Sequence, residues 1–337
     1  MTATVPERFK AMLLTQAEGR TVHEVKTLGR EQLPEGDVTV AIEYSSLNYK
    51  DAMAITGKGK IVRQFPMVPG IDFAGTVLES ESSDFSPGDK VVLTGWSVGE
   101  RYWGGYSQVQ RLKSGWLLPL PQGLSTRQAM AFGTAGFTAM QCVLALEEDG
   151  IRPEHGPVLV TGAAGGVGTL ATTFLAGLGY TVHALVSHGS EERVGGLLTA
   201  LGASEVISGE EWNASPQPLE KQRWAAGVDT VGSNVLVRLL ASVNYGGSVA
   251  ACGLAGGFDL NATVMPFILR GVRLLGIDSV SCPKERRIKV WERIASAVPS
   301  EALEKIVREA TLGTVANFAQ DMMSRKALGR VVVDVNQ

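Results

Sequence analysis

Eight residues, Thr161-Gly162-Ala163-Ala164-Gly165-Gly166-Val167-Gly168, follow directly on the apolar run Val158-Leu159-Val160 and narrow the fold more than any other stretch. A buried strand that ends in glycines and runs straight into a helix leaves backbone N–H groups free. Those groups face a diphosphate, with the positive end of the helix behind them. The context supports this reading. Leu170, Phe174, Leu175 and Leu178 recur at helical spacing, Gly177 and Gly179 close the helix, and a second β-rich run, Tyr180 to Val186, follows and stops at Ser187. Strand, glycine turn, helix and strand in that order form one mononucleotide-binding half of a doubly wound parallel sheet. Ala164, Gly165, Gly166, Val167 and Gly168 are the expected phosphate contacts.

The end of the second strand selects the cofactor. NAD sites place Asp or Glu about 20 residues past the glycines to accept from the ribose 2′-OH. Here Ser187-His188-Gly189-Ser190 stands in that place, with Arg193 one helical turn on. Hydroxyls and cations meet a 2′-phosphate where a carboxylate would repel it, so NADPH is expected over NADH. The alternative is local: Ser190 caps the next helix and Arg193 pairs with Glu191 or Glu192.

At 337 residues, two domains are expected. Hydrophobic content of 45 %, charged content of 19 % and a net charge of −3 describe a soluble globular protein with no basic field for nucleic acid. Residues 1–10 carry no apolar signal core, and no stretch approaches the ~18 uninterrupted apolar residues of a membrane span. Cys142, Cys252 and Cys282 are scattered, with neither a metal-ligand spacing nor a disulfide framework. A cytoplasmic location and no metal are expected.

Residues 1–125 read as short strands cut by turns: Val38 to Tyr44, Asp72 to Leu78 and Lys90 to Leu93, with a turn at Ser86-Pro87-Gly88-Asp89. They suggest an all-β, barrel-like module. Ser125-Thr126-Arg127-Gln128 is a capping box that opens a helix to about Leu146, loosened at Gly133 and Gly136. Strands and helices then alternate, with strands at 204–207, 228–231, 248–252 and 273–278. Ligands of such sheets lie at the carboxyl ends of the strands, which brings Gly232, Gly253 and Leu254 to the same crevice as Gly165 and Ser187. A helix from Lys284 to Ala297 and a last strand, Arg330 to Val335, suggest that the chain returns to its first module. The expected division is 1–125 with 282–337, and 126–281.

Five blocks add to the glycine motif: Asn48-Tyr49-Lys50-Asp51-Ala52, Pro69 to Gly75, Trp103 to Tyr106, Asn244 to Gly247 and Cys252 to Gly257. With them the chain resembles the medium-chain dehydrogenase/reductase superfamily over essentially its whole length. Within it the zinc-free quinone oxidoreductase branch fits, and most narrowly the bacterial NADPH-dependent acrylyl-CoA reductase family. The resemblance implies a GroES-like β-barrel catalytic domain plus a Rossmann domain, an α/β fold overall. Where zinc alcohol dehydrogenases of the superfamily carry a ligand Cys and a Gly-His-Glu, this chain has Asn48 and Gly70-Ile71-Asp72, and it lacks their four-cysteine lobe. The family's arginine after the second strand is replaced by His188-Gly189, with Arg193 as its substitute.

The implied reaction is hydride transfer from NADPH to the β-carbon of an enoyl thioester, converting acrylyl-CoA to propionyl-CoA, with donors aimed at the developing enolate oxygen. The alternative is a quinone or enone reductase of the same fold; a non-enzymatic NADPH-binding protein is the reading of another class. Asn48 is the leading candidate beside the nicotinamide, against a turn asparagine bonding its own backbone. Tyr44 and Tyr49 could supply a phenol. Lys50 could contact phosphate or enolate, with Asp51 orienting it or capping a helix. Asp72 reads as a structural hydrogen-bonding acid, and Asn317 and Arg330 as cofactor contacts of the returning tail. Acyl-CoA phosphates would require cations, and Lys58, Lys60 and Arg63, with Lys284, Arg286 and Arg287, are available, but solvated surface is the reading that charged loops favour. A homodimer is expected through the sheet edge at 274–280.

Overall fold

The computed structural model describes residues 4–297 and 300–337 and divides into two compact units. Unit 1 comprises Met1–Thr134, Ser279–Ala295 and Val307–Gln337, and unit 2 comprises Ala135–Asp278 and Ser296–Ile306.

Unit 1 opens with the antiparallel ribbon β1 (Arg8–Ala17) and β2 (Arg20–Gly29). Then follow β3 (Val38–Ser46), helix α1 (Tyr49–Thr56), β4 (Asp72–Ser80), β5 (Lys90–Thr94), β6 (Val109–Leu112) and β7 (Leu118–Pro119). Inward residues such as Val40, Ile42, Phe73, Val91 and Leu93 build one core with Phe9, Met12 and Leu14. The ribbon strands are absent from the sequence reading because β2 is exposed along most of its length, which erases the apolar alternation that marks a half-buried strand.

Helix α2 (Thr126–Glu148) starts at the expected capping box: Ser125 N donates to Gln128 Oε1 at 2.9 Å and Gln128 N to Ser125 Oγ at 3.1 Å. It breaks at Gly133 (φ 52°, ψ −152°), while Gly136 stays helical. Its length and composition would suit a bilayer, yet 94 % of the apolar window is buried in the protein.

Unit 2 holds β8 (Val158–Thr161), α3 (Gly166–Gly177), β9 (Val182–Val186), α4 (Glu191–Ala200), β10 (Ala203–Ser208), β11 (Trp224–Asp229), α5 (Ser233–Ser242), β12 (Val243–Ala251), α6 (Met265–Arg270) and β13 (Arg273–Gly276). All six strands are parallel, in the order β10-β9-β8-β11-β12-β13. The first strand lies inside and the order reverses beside it, as in dinucleotide-binding sheets. Val158, Leu159 and Val160 are fully buried, as both faces of a parallel sheet demand.

Several strand bounds differ from expectation, two of them at ends in unit 2. β11 stops at Asp229 instead of Val231, because the Asp229 carboxylate accepts from Gly232 N at 2.7 Å and turns the chain there. β13 ends at Gly276, so the edge strand expected over 274–280 is shorter.

Helices α7 (Lys284–Ala297) and α8 (Ser300–Glu304) lead to β14 (Val307–Thr311), α9 (Val315–Met323) and β15 (Arg330–Asp334). In unit 1 the sheet order is β14-β15-β3-β4-β5-β7, with β6 also on β3. β15 runs antiparallel to β3, pairing Val332 with Ser46 and Asp334 with Tyr44, and α9 packs against α1.

A Cβ at Gly133 would lie 2.5 Å from Ser46 Oγ, 2.7 Å from Arg330 Nη2 and 2.8 Å from Asp72 Oδ2. Gly133→Ala combines that collision with a disfavoured φ and is expected to destabilise the protein by at least about 2 kcal/mol, read as a lowered urea midpoint. An unchanged midpoint would show that the kink is not held by these contacts.

Candidate functional site

In unit 2 the ends of three strands are crowded together. Thr161 Oγ1, at the end of β8, donates to Asp229 Oδ1 at 2.7 Å and accepts from Thr230 N at 3.1 Å. Thr230 Oγ1 returns to Thr161 O at 2.9 Å, and Cys252 N donates to Asp229 O at 2.9 Å. Burial pushes the Asp229 carboxyl up, against the pull of its Thr161 and Gly232 bonds.

Glycine is required where these turns meet. At Gly253 a Cβ would strike Thr230 O and at Gly232 (φ 76°) the carbonyl of Gly257. At Gly168 it would strike Gly162 O and come within 2.6 Å of Ala163 Cα, so only glycine lets α3 begin this close to β8.

Gly165 caps α3 in an extended conformation (φ −78°, ψ 173°) and is exposed. The N–H groups of Gly166, Val167 and Gly168 belong to the first turn and have no partner within the helix. Backbone donors, a helix N-terminus and a crevice at the strand ends fit the diphosphate of a dinucleotide. Ala164 sits in the same turn, and Gly253 and Leu254 follow β12, with Leu254 59 % exposed.

Ser187, His188 and Gly189 (φ 78°) are exposed at the end of β9. His188 Nδ1 lies 3.3 Å from Ser208 Oγ and 4.0 Å from both Glu191 and Glu210. Ser190 occupies the N-cap of α4, but its hydroxyl donates to Ser187 O at 2.5 Å and not to the helix. Arg193 is exposed on α4.

In unit 1 the residues around Asn48 form a buried polar knot. Asn48 is the N-cap of α1 and is 8 % exposed. Its Nδ2 donates to Asp72 Oδ2 at 2.8 Å and Asp51 Oδ2 at 3.3 Å, and its Oδ1 lies 3.4 Å from Arg330 Nη1. Asp72 also accepts from Ser46 N at 3.1 Å and, where α2 is broken, from Thr134 N at 2.7 Å. Asp51 accepts from Gly70 N at 3.1 Å, Ile71 N at 3.0 Å and Asn48 N at 2.9 Å. Tyr106 OH donates to Ser46 O at 3.2 Å, and burial pushes that phenol up.

Three expectations are corrected here. Lys50 is not oriented by Asp51, since its ammonium lies 2.7 Å from Glu100 Oε1 while Asp51 turns inward. Arg330 does not face a crevice. It is 2 % exposed and donates to Ala131 O at 3.0 Å and Ser46 Oγ at 2.8 Å, and the charges of Asp72 and Asp51 offset part of the cost of burying it. Tyr44 takes its electrostatic surroundings from Asp334, Glu309, Arg127 and Glu43, outside the Asn48 knot.

Tyr49 is 42 % exposed at the first position of α1, and Asn317 is exposed on α9, which packs on that helix. Asp72 is the structural acid that the sequence suggested. Ser46, Thr134, Glu100 and Tyr106 were missed, and no local pattern marks them.

Among the described residues no three His, Cys, Asp or Glu side chains come together to hold a metal ion. Asn48, Asp51 and Asp72 do meet, but a guanidinium already supplies their positive charge, and without imidazole or thiolate they do not fit a zinc site.

The first unit is not the all-β module that the strand pattern suggested, since α1, α9 and most of α7 belong to it. A parallel sheet of this order with a glycine cradle, joined in one chain to a sheet-based unit that the chain leaves and re-enters, defines a two-domain nucleotide-dependent oxidoreductase. Residues 34–122 match the alcohol dehydrogenase GroES-like domain and residues 166–296 the zinc-binding dehydrogenase domain. The acrylyl-CoA reductase AcuI of Ruegeria pomeroyi is 54 % identical over 97 % of this chain and 99 % of its own. YhdH of Escherichia coli K-12, solved with bound NADPH, superposes with a TM-score of 0.94 at 54 % identity, covering 97 % of this chain and 100 % of that one. YhfP of Bacillus subtilis, solved with NAD bound, has a TM-score of 0.93 at 44 % identity over 98 % and 100 % of the two chains. The chain belongs to the medium-chain dehydrogenase/reductase superfamily and, within it, to the acrylyl-CoA reductase family.

Burial and the Asp72 carboxylate push Asp51 up from 3.8 to about 7, against the N–H groups of Asn48 and Ile71. A carboxyl whose folded-state value lies above its unfolded one holds its proton more tightly when folded. The stabilisation tied to that proton is therefore complete below about pH 4 and is lost as pH rises through about 7. Asp51→Asn lacks this titration. It is expected to be less stable than wild type at low pH, with the gap in melting temperature narrowing between about pH 4 and 8; a constant gap would contradict the shift.

Proposed function

We propose that the protein uses NADPH to reduce the carbon–carbon double bond of acrylyl-CoA, forming propionyl-CoA. The observation that carries this reading is the full-length likeness to AcuI, 54 % identical with almost no residue outside the match on either side. NADPH supplies the hydride when bound; the rest is positioning by the chain.

In unit 2 the amides of Gly165, Gly166, Val167 and Gly168 would hold the diphosphate, supported by Ala164 and by the glycine turns at Gly232 and Gly253-Leu254. Ser187, His188, Gly189 and Arg193 would meet the 2′-phosphate. Near neutral pH that group carries a charge of about −1.5 to −2, and no acid stands at the end of β9 itself to repel it, the nearest carboxylates, Glu191 and Glu210, lying 4.0 Å from His188.

In unit 1 the acyl thioester would be held by Asn48, Tyr49 and Lys50. As electrons move toward the thioester oxygen, negative charge builds there, and fixed donors stabilise it without reorganising. Tyr49 offers an exposed phenol and Lys50 an ammonium at the start of α1. Asn48 is locked in orientation by Asp51, Asp72 and Arg330, with its amide hydrogens given to the two acids, and so would fix the start of α1 from which Tyr49 and Lys50 reach. Asn317 on α9 would add a polar contact from the returning tail.

Steady-state assays with acrylyl-CoA, crotonyl-CoA and simple quinones test the reading: acrylyl-CoA is expected to show the highest kcat/KM. Turnover of quinones with no enoyl-CoA would remove the thioester. Asn48→Ala is expected to lower kcat about ten-fold or more while the Kd for NADPH stays within about two-fold. Equal losses in both would deny Asn48 a place at the reacting groups.

A homodimer and a cytoplasmic home go with this reading, the latter in keeping with free thiols at Cys142, Cys252 and Cys282. β13 ends its sheet as an edge strand, and the segment before it exposes Phe258 (84 %), Ile268 (71 %) and Leu269 (54 %). An open edge flanked by apolar side chains calls for a partner strand. Light scattering should give twice the chain mass, and Ile268→Asp should shift the mass toward the monomer; a monomeric wild type would refute the dimer.

A further inference from the structure

Between Asp51 and Asp72 the sequence holds no acidic residue but includes Lys58, Lys60 and Arg63. All three are exposed in the loop that follows α1. The loop is tied at several points. Gly57 closes α1 in the left-handed region (φ 66°), and Gly59 lies against the Met53 side chain, which folds the loop back over the helix. Further on, Arg63 N donates to Glu100 O at 2.9 Å and Trp103 Nε1 to Pro66 O at 3.4 Å. Arg101, exposed, directly follows Glu100. The loop therefore shares one surface with Arg101 and with the Lys50–Glu100 pair.

The charges on this surface do not cancel. Glu100 is already neutralised by Lys50, and among the described residues Lys58, Lys60, Arg63 and Arg101 have no ion-pair partner. The chain carries 34 acidic residues against 31 basic ones, so a lack of carboxylates does not explain four unneutralised cations together. Two of the other cations considered for this role are otherwise engaged. Arg287 is buried, donating to Thr94 O at 2.7 Å over the Trp96 ring, and Lys284 lies 3.8 Å from Asp84.

We infer that Lys58, Lys60, Arg63 and Arg101 form the site for the 3′-phosphate and diphosphate of the acyl-CoA, and that the preference for CoA thioesters over smaller enones arises there. The inference rests on the acyl-CoA reading given above. A phosphomonoester carries about −1.5 to −2 near neutral pH, and two guanidiniums can each grip a phosphate with a fork of N–H donors while the ammoniums act as point charges. The same chemistry would suit the phosphates of NADPH, so the two ligands are titrated separately.

The test compares acrylyl-CoA with acrylyl-pantetheine, the same thioester without the nucleotide phosphates, in Lys58→Glu/Lys60→Glu and in the milder Lys58→Ala/Lys60→Ala. The charge-reversed variant is expected to raise KM for acrylyl-CoA about ten-fold or more with kcat within about two-fold. Its kcat/KM for acrylyl-pantetheine and its Kd for NADPH should stay at wild-type values, and the alanine variant should shift KM for acrylyl-CoA in the same direction by less. Raising the salt from about 0.05 to 0.3 M should increase KM for acrylyl-CoA more steeply in the wild type than in either variant. An unchanged KM for acrylyl-CoA, an equal loss with both thioesters, or a weakened Kd for NADPH would each overturn the assignment. A wild type that reduces quinones but neither thioester would instead overturn the acyl-CoA reading itself, before any variant is made.

Discussion

The first unit depends on how it keeps two carboxylates, Asp51 and Asp72, away from water. One guanidinium, Arg330, bonds to Ser46 and Asn48 and feels the charge of both carboxylates, and the excess negative charge is met by the N–H groups of Gly70, Ile71, Asn48, Ser46 and Thr134 and by the raised proton affinity of Asp51. A buried ion pair adds little net stability over an apolar core, but losing one member costs about 3–5 kcal/mol because a charge is left bare. The knot therefore acts on register more than on stability. β3, α1, β4, the kink in α2 and β15 must all arrive in place before any of these groups is satisfied. Arg330 and Ser46 lie 284 residues apart, and their bond joins the end of the chain to its beginning.

The second unit solves its problem with the main chain. Its strands end so close together that a side chain at Gly168, Gly232 or Gly253 would strike a carbonyl, and in the proposed reading its phosphate donors are amides that need no particular side chain. Recognition of this kind rests on backbone conformation and free space, both of which glycine enforces locally. The knot in the first unit rests on pairings between distant side chains.

That contrast explains what could be read in the amino-acid sequence. The strand at Val158, the turn at Gly165, the capping box at Ser125 and the helix from Lys284 to Ala297 are all local, and the structure has each of them. The partners of Asn48, Lys50 and Arg330 were not legible, because nothing near Lys50 points to Glu100 and nothing near Arg330 points to Ser46 or Asn48. A strand-opening arginine reads as a cofactor contact until the sheet buries it against Ser46 and Asn48. β14 was also missed: Val307-Arg308-Glu309-Ala310-Thr311 has almost no apolar pattern and is a strand because β15 offers it a parallel edge.

The same contrast bears on cofactor choice. In the proposed reading the amide cradle would be indifferent to which pyridine nucleotide it holds, since both carry the diphosphate, so discrimination would fall on the few side chains at the end of β9. There His188 stands 4.0 Å from Glu191 and from Glu210, and its positive charge, when present, is shared with both. In the proposed reading the preference for NADPH thus owes more to the carboxylate missing from the end of β9 than to a strong cation. Such a preference is shallow by construction: one acid introduced at Ser187 would supply the acceptor that a ribose 2′-OH needs and repel the phosphate at the same stroke.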